Sequence, residues 1–474
     1  MQSLSSFIIL NTIMKRIVII GGCAAGPKTA AKTKRVNPEN IVELYTMENM
    51  ISYSACGMPY YIKGSVPSYQ NLIIRTPEDF KKQGIDVFLN HKCTRILPDE
   101  KSVIFNTMVN GVGEIKKVNY DELVLCVGSR PYTPKVKNIN LENIFHLKVL
   151  DDGIKIKEKM EKSKSAIILG GGYIAIEILE AFVKNGLNVT VVERNHEIMS
   201  QFDPEISTII KDYITKRDGK HVDFILDDEI IEFIGTKEFT GAVTRNGKTL
   251  HADFCVVAAG VVPNVELARE AGIEIGITGG IKTDNRMRTN IEHIWAAGDC
   301  TEETCLITKR PMYAALGTIA NKQGRVAGIN VNTDTNGVYE AFDGILGSAV
   351  TSYFDFSMST TGLTETKARI FAKNSSIEPI TATVTKRDKP GYMPDSNSIT
   401  VKLVADKRTG ELLGAQAVGV GDADKRIYTV TSALRANLTV QEFLHLDLTY
   451  SPAFSSTIDP LLTAAYKLKD EIDK

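Results

Sequence analysis

The chain has 474 residues, 43% apolar and 24% charged, and its 56 basic and 57 acidic side chains nearly cancel. That length is too great for one hydrophobic core and calls for two to four domains. Near-neutrality excludes a global basic field that would recruit nucleic acid or a membrane surface, and no apolar run approaches the length of a bilayer span.

Residues 1–13 hold only Phe7-Ile8-Ile9-Leu10 as an apolar core, too short for a signal peptide. Met14 is followed at once by Lys15-Arg16, so residues 1–13 read as a loose tail or a mis-called start. Residues 17–20 are a continuous β-branched run, the pattern of a strand buried on both faces. A small-residue loop, 21–26, interrupts it, a helix is expected from about Ala25 to Arg35, and a second strand over 41–45. Short strands follow, ending in Leu123-Val124-Leu125-Cys126-Val127-Gly128. The same order then recurs: strand 166–169, glycine loop 170–172, helix 174–184 closed by Asn185-Gly186, strand 189–193. Two βαβ units about 150 residues apart are therefore the main internal repeat. Further strand-like runs lie at 254–260 and 294–299, with a helical region over 313–328. Residues 332–337 are polar and turn-forming, a domain boundary by composition. Beyond it, 399–404 and 412–418 read as a hairpin around Thr409-Gly410, and helices follow to the end.

The loop Gly170-x-Gly172-x-x-Ala175 sits between a strand and a helix, where glycines let the backbone approach a pyrophosphate and the helix N-terminus stabilises it. Tyr173 and Ile174 open the helix, and Glu193 ends the next strand, where a carboxylate accepts hydrogen bonds from ribose hydroxyls and repels a 2′-phosphate. NADH is favoured on this ground, with NADPH kept open by Arg194. The first loop, Gly21-Gly22-Cys23-Ala24-Ala25-Gly26, departs from standard spacing, since Cys23 holds the middle glycine slot. The acid expected at its second strand end is replaced by Thr46, with Glu48 two residues on.

Seven cysteines are scattered without a CxxC pair, a pattern that fits a reducing cytosol rather than a disulfide-stapled secreted domain. Cys93, Cys126 and Cys255 read as small buried hydrophobes. Cys56 stands apart, in Ser52-Tyr53-Ser54-Ala55-Cys56-Gly57-Met58-Pro59-Tyr60-Tyr61-Ile62. Ser52 or Ser54 can cap a helix and Pro59 fits its first turn, which places Cys56 at a helix N-terminus, where the dipole lowers a thiol pKa.

The two glycine-loop units, the Ala296-Ala297-Gly298-Asp299 element and the Cys56 segment together resemble the pyridine nucleotide–disulfide oxidoreductase family, from Met14 nearly to the end. The resemblance implies an α/β fold: two doubly wound Rossmann-like nucleotide-binding domains, glutathione-reductase-like, plus a C-terminal α+β dimerisation domain. It implies an FAD-binding domain over 14–149 and 264–340, an NAD(P)H-binding domain over 150–263, and dimerisation over 341–474. FAD is then expected at Gly21, Ala24, Ala25, Gly26, Glu48, Ser52, Gly128 and Asp299, and the nicotinamide nucleotide at Gly170, Gly172, Tyr173, Ile174 and Glu193. The helix expected near Pro311-Met312-Tyr313 would point its N-terminus at the flavin ring. Members with a Cys-x4-Cys pair carry a second cysteine where this chain has Tyr61, which leaves the single-cysteine branch.

Within that branch, Ala24 stands where oxidases and peroxidases carry a histidine, and two C-terminal segments match coenzyme A–disulfide reductases. These are Gly391-Tyr392-Met393-Pro394 and the run 448–456 around Tyr450, so Tyr392 and Tyr450 are expected to serve the Cys56 of a partner subunit in a homodimer. Ala55 departs from the asparagine often found before the cysteine, which leaves persulfide and polysulfide open as substrates. The implied activity is reduction of coenzyme A disulfide or a related sulfur substrate through a Cys56–coenzyme A mixed disulfide. The alternatives are an NADH oxidase or peroxidase on the same site, and an NADH-sensing flavoprotein acting through partner binding.

Overall fold

The structure, a computed structural model, describes residues 14–109, 112–332 and 339–474. Residues 1–13 and most of the expected boundary at 332–337 lie outside the described residues. The β-branched run after Lys15 forms the strand Arg16–Ile20, and its last four residues are buried because it lies mid-sheet. That sheet is parallel, in the order Ile294–Ala296, Glu122–Leu125, Arg16–Ile20, Ile41–Tyr45, Ile85–Phe88. Helix Ala25–Val36 packs on it and against helix Gly317–Asn330. Tyr45 is clamped between the rings of Phe88 and Phe105, at 4.4 and 4.2 Å, which fixes the end of the second strand where Thr46 turns away.

A second parallel sheet, Val222–Ile225, Asn188–Val192, Ser165–Leu169, Phe254–Val257 and Ile144–Phe145, is inserted between the strands of the first. Its helix Tyr173–Lys184 ends at Asn185, and Gly186 follows at φ +81°, the left-handed stop read from the sequence. The chain crosses between the two sheets twice, and the crossings pair as the antiparallel ribbon Ser129–Pro131 with Val261–Pro263. The C-terminal sheet is antiparallel, in the order Ala349–Tyr353, Phe356–Gly362, Leu412–Val420, Ser398–Asp406, Pro379–Arg387. Helices Ala423–Arg435 and Pro460–Ile472 cover it. The hairpin around Gly410, at φ +75°, forms as the sequence indicates.

A buried polar rivet joins the second unit to this sheet. Lys402, 1% exposed, reaches Asp203 at 3.0 Å, Glu365 at 2.6 Å, and Glu205. Burial opposes the charge on Asp203, but hydrogen bonds from Thr366, Lys402 and the Glu365 backbone outweigh it and hold the carboxyl down to about 2. Tyr353 and Tyr213 extend the seam through Asp218 and Asp355.

One element differs from expectation. The helix expected to begin near Tyr313 begins at Gly317. Pro311–Met312 instead pairs antiparallel with Glu303–Thr304, and the tight turn between them commits the backbone to a hairpin.

Candidate active site

Both glycine loops lie at strand-to-helix turns. Gly21, at φ +121°, donates to Tyr45 O at 2.8 Å, and a Cβ there would sit 1.9 Å from Cys126 O. A Cβ on Gly26 would meet Gly21 O at 1.9 Å, so helix Ala25–Val36 approaches the loop as closely as glycine allows. No side chain caps that helix, which leaves its first amides for an anion. Ala24 and Ala25 keep the opening narrow and apolar.

Glu48 accepts a 2.6 Å hydrogen bond from the Tyr53 hydroxyl. Its carboxyl is pushed up by burial, against the pull of Tyr53 and Lys148. With Met47, Asn49, Lys92, Asn106 and Asp151, it lines a cavity of about 930 Å³ at the carboxyl end of strand Ile41–Tyr45, the place where doubly wound folds seat ligands. Ser52 is buried in the left-handed region at φ 51°, and its N–H donates to Gly22 O at 2.7 Å, tying the cysteine segment to the first loop.

Asp299 follows strand Ile294–Ala296. Its carboxylate accepts from Ser129 at 3.1 Å and pairs with Lys148 at 3.4 Å, while the Tyr313 hydroxyl donates to its backbone carbonyl at 2.9 Å. Gly128, at φ +65°, has open space where a Cβ would stand. Tight glycines, an uncapped helix start and a half-buried aspartate fit the flavin dinucleotide that the resemblance implies, with the cavity beside Glu48 at the end of the second strand.

The second loop repeats the first. Gly170, at φ +111°, donates to Val192 O at 2.8 Å, and a Cβ there would lie 2.4 Å from Ala258 O. Glu193 accepts from Gly171 N at 2.6 Å and Asn195 N at 2.9 Å. Gly172 precedes a helix that no side chain caps, opened by Tyr173 and Ile174, and Tyr173 packs edge-on against Phe202. Beside Gly172, the buried Gln201 Oε1 has no hydrogen-bond partner among the described residues, an orphan that suits a polar ligand.

Cys56 is the one exposed cysteine; Cys23 is half-buried and the other five are buried. It lies in a 3₁₀ turn, Ala55–Gly57, that runs into the five-residue helix Met58–Ile62. Cys56 therefore stands just before a helix start with Pro59 in its first turn, as expected, but neither Ser52 nor Ser54 caps it. The thiol is raised rather than lowered: although the residue is exposed, neighbouring protein partly desolvates its sulfur and pushes it up, Glu177 and Asp299 add to that, and only Lys148 and the local backbone oppose. A helix this short supplies too little dipole to win. Cys23, with its thiol toward Tyr53 O at 3.7 Å, is pushed by burial to about 12.

Tyr392 and Tyr450 are 73% and 51% exposed on the C-terminal unit, and neither is among the groups acting on Cys56 within its own chain. Lys148, Ser129 and Glu177, which do surround the site, escaped the sequence reading. Glu177 had a signal, since it lies one helical turn beyond Tyr173 on the same face. Lys148 had none, because only the crossing of the chain between sheets brings it to Asp299.

The sequence profile described as "Pyridine nucleotide-disulphide oxidoreductase" matches residues 15–324, and that of the family's dimerisation domain matches 348–461. The chain is 36% identical over 464 residues to the "NAD(P)H coenzyme A polysulfide/persulfide reductase" of Pyrococcus horikoshii, covering 97% of this chain and 99% of that one. It is 32% identical to the "NADH oxidase" of Methanocaldococcus jannaschii, over 95% of this chain and 98% of that one. Among solved structures, the NAD-dependent persulfide reductase from A. fulgidus superposes with a TM-score of 0.91 at 33% identity, covering 97% of this chain and 84% of that one. No helix among the described residues is long and apolar enough to cross a membrane.

Proposed function

This chain belongs to the pyridine nucleotide-disulphide oxidoreductase family, and from that premise we propose that it reduces a sulfur substrate, coenzyme A disulfide or a related persulfide or polysulfide, through Cys56. The observation that carries the reading is the single exposed cysteine, in a segment tied to the first glycine loop through Ser52 and packed on the helix that follows the second, with Tyr61 where an internal disulfide partner would stand. In this reading residues 14–149 and 264–340 hold FAD, 150–263 hold NAD(P)H, and 341–474 form the dimer contact.

Bound FAD would supply the two-electron relay between nicotinamide and sulfur. Gly21, Gly26 and the start of helix Ala25–Val36 would hold its pyrophosphate, and Asp299 would accept from a ribityl hydroxyl. Gly170, Gly172 and the amides at Tyr173 and Ile174 hold the second nucleotide, with Glu193 on its ribose. The Cys56 thiolate attacks the substrate disulfide, the S–S bond breaks, and the departing thiolate takes a proton. Cys56 is left in a mixed disulfide, which two electrons and one further proton return to thiolate and free thiol. The net change is one disulfide and NADH converted, with one proton, to two thiols and NAD⁺. Tyr392 and Tyr450 of the partner subunit donate hydrogen bonds to the leaving sulfur, which accounts for their exposure in a single chain.

Cys56→Ser should stop disulfide reduction while flavin stays bound and reducible by NADH; disulfide turnover that persists would sink the reading. A heterodimer of a Cys56→Ser subunit with a Tyr392→Phe/Tyr450→Phe subunit should keep about half of wild-type activity, since one composite site carries both lesions and the other none. Near-zero activity would mean that each chain's tyrosines serve their own cysteine. The NADH oxidase relative favours a second reading, oxygen as acceptor. It predicts NADH consumption matched by oxygen uptake with no disulfide present.

A further inference from the structure

We propose that Arg426 is the positioning residue that fastens the two tyrosine-bearing segments, 388–397 and 445–459, to one helix and so aims both phenols together. The proposal rests on the reading that Tyr392 and Tyr450 serve Cys56 of the partner subunit, and adds the side chain that holds them.

The two tyrosines belong to different elements. Tyr392 stands in the loop 388–397, which joins strands Pro379–Arg387 and Ser398–Asp406. That loop is closed at its base: Asp388 N–H donates to Asn397 O at 2.9 Å, and Asn397 N–H donates back to the Asp388 carboxylate at 2.8 Å. Inside it, Met393 N–H donates to Pro390 O at 2.9 Å and the Ser396 hydroxyl to Lys389 O at 2.8 Å. Tyr450 stands in the irregular run between helices Val440–Leu444 and Pro460–Ile472. There the N–H groups of Phe454 and Ser455 both donate to Ser451 O, at 2.9 and 3.0 Å, and the Ser455 hydroxyl donates to Thr449 O at 3.3 Å. The run ends at Asp459, which accepts from Leu461 N–H at 2.9 Å and caps the last helix. Each segment is folded on itself, so its orientation is set where it is anchored. The phenols are 73% and 51% exposed, which leaves their aim to the backbone beneath them rather than to packing around the rings.

The two anchors meet on one side chain. Arg426 is buried in the first turn of helix Ala423–Arg435. Its Nη1 donates to Asp422 O at 2.9 Å, at the start of that helix. Its Nη2 donates to Asp388 O at 2.9 Å, at the base of the Tyr392 loop. Its Nε and Nη2 reach the Asp459 carboxylate at 3.2 and 3.1 Å, at the end of the Tyr450 run. A guanidinium can do this because its N–H groups diverge from one planar fork, whereas an ammonium has a single head. The Asp459 side chain is largely buried as well, so salt and water screen the pair little. An apolar side chain in place of Arg426 would leave Asp388 O and Asp459 each short of a buried donor, and both segments would lose their common reference.

The test uses the flavin-loaded dimer with NADH and coenzyme A disulfide. Arg426→Met should lower kcat for disulfide reduction about tenfold or more, while NADH reduces the flavin at the wild-type rate in stopped-flow traces. In a Tyr392→Phe/Tyr450→Phe background the same substitution should change kcat less than about twofold, because an effect that acts through the phenols cannot be lost twice. A heterodimer of an Arg426→Met subunit with a Cys56→Ser subunit should keep about half of wild-type activity, since the intact cysteine then faces the partner's intact tyrosine segments. Arg426→Lys, which keeps the charge but has one head, is read the same way if the Met variant does not hold its dimer. Wild-type turnover in a dimeric Arg426 variant, a flavin reduction step slowed as much as turnover, full multiplication with the tyrosine lesions, or near-zero activity in the heterodimer would each overturn the assignment. Failure of the underlying reading is separate: it shows as wild-type turnover in Tyr392→Phe/Tyr450→Phe itself, and it would overturn both.

Discussion

The two glycine loops share a backbone and differ in what stands beneath them. Gly21 and Gly170 take the same left-handed turn, donate to the ends of their neighbouring strands, and would each drive a Cβ into a third strand's carbonyl. Under the next glycine, the first unit has the buried Thr46 and the second has Glu193. A Cβ on Gly22 would come within 2.9 Å of Thr46, and one on Gly171 within 3.2 Å of Glu193. The first unit also brings its helix closer, since Gly26 cannot carry the Cβ that Ala175 carries. The first loop is thus a tight, neutral cradle and the second a looser one with a carboxylate. A cradle that holds its dinucleotide permanently needs steric fit; one that exchanges substrate every turnover needs a group that tells one dinucleotide from another.

The largest expected effect comes from closing the cradles. Gly21→Ala faces both a forbidden φ and a backbone oxygen 1.9 Å away, and should cost about 4 kcal/mol or more. It should yield protein without flavin absorbance, or none soluble. Gly170→Ala, at 2.4 Å from Ala258 O, should keep its flavin and lose reduction by NADH in stopped-flow traces. If both variants lost flavin alike, the two loops would not be separable in function.

Next is the rivet, which anchors the second unit alone. Lys402→Met leaves Asp203, Glu205 and Glu365 facing one another without their cation, a loss of about 3–5 kcal/mol. NADH binding should fail at a lower denaturant concentration than flavin release, whereas the wild type should lose both together. Acid tests the same joint. Asp203 titrates lower in the fold than in the open chain, so its contribution, roughly 2 kcal/mol, is complete above the ordinary carboxyl range near pH 4 and vanishes as pH falls through about 2.

What the sequence disclosed follows from locality. Strand, loop and helix in both units are set by adjacent residues, so their existence and the places of Gly21, Gly170 and Glu193 were readable. Pro59 marks the helix start after Cys56, but its capping is not legible: a serine before a proline-containing run suggests a cap, whereas Ser52 spends its backbone in a left-handed bend tied to Gly22. The helix start at Gly317 was missed because a hairpin six residues earlier claims Pro311–Met312 through pairing with Glu303–Thr304. Lys148, Glu177 and Lys402 act across seams between units, and no spacing along the chain records those contacts.

A smaller effect should come from Glu193. Its two backbone bonds orient the carboxylate toward the nucleotide side of the loop. Glu193→Ala should raise KM for NADH about tenfold, near 1.4 kcal/mol, and narrow the preference over NADPH, with kcat less affected. An unchanged ratio of kcat/KM for the two nucleotides would show that Arg194 or another base sets the choice.

The smallest effect is expected from giving the first loop what the second has. Thr46 follows its strand as Glu193 does: each N–H donates to the neighbouring strand, Thr46 to Phe88 O at 3.0 Å and Glu193 to Ile225 O at 2.9 Å. Thr46→Glu would therefore place a carboxylate beside Gly22 with the geometry that Glu193 has beside Gly171. Two forces oppose each other there. A ribose hydroxyl bonded to a charged acceptor gains about 1.5–3 kcal/mol. Against it, Glu48 is already half-buried nearby and pushed up, and a second carboxylate would repel it. The net gain should be about 1 kcal/mol or less, a few-fold fall in Kd when FAD is added back to flavin-stripped protein. Tighter flavin binding with unchanged NADH kinetics would mean that the acid contributes affinity wherever it stands, and that Thr46 is a tolerated loss. Unchanged binding in a folded variant would mean that steric fit already holds the flavin, leaving discrimination between nucleotides as the acid's work in the second unit.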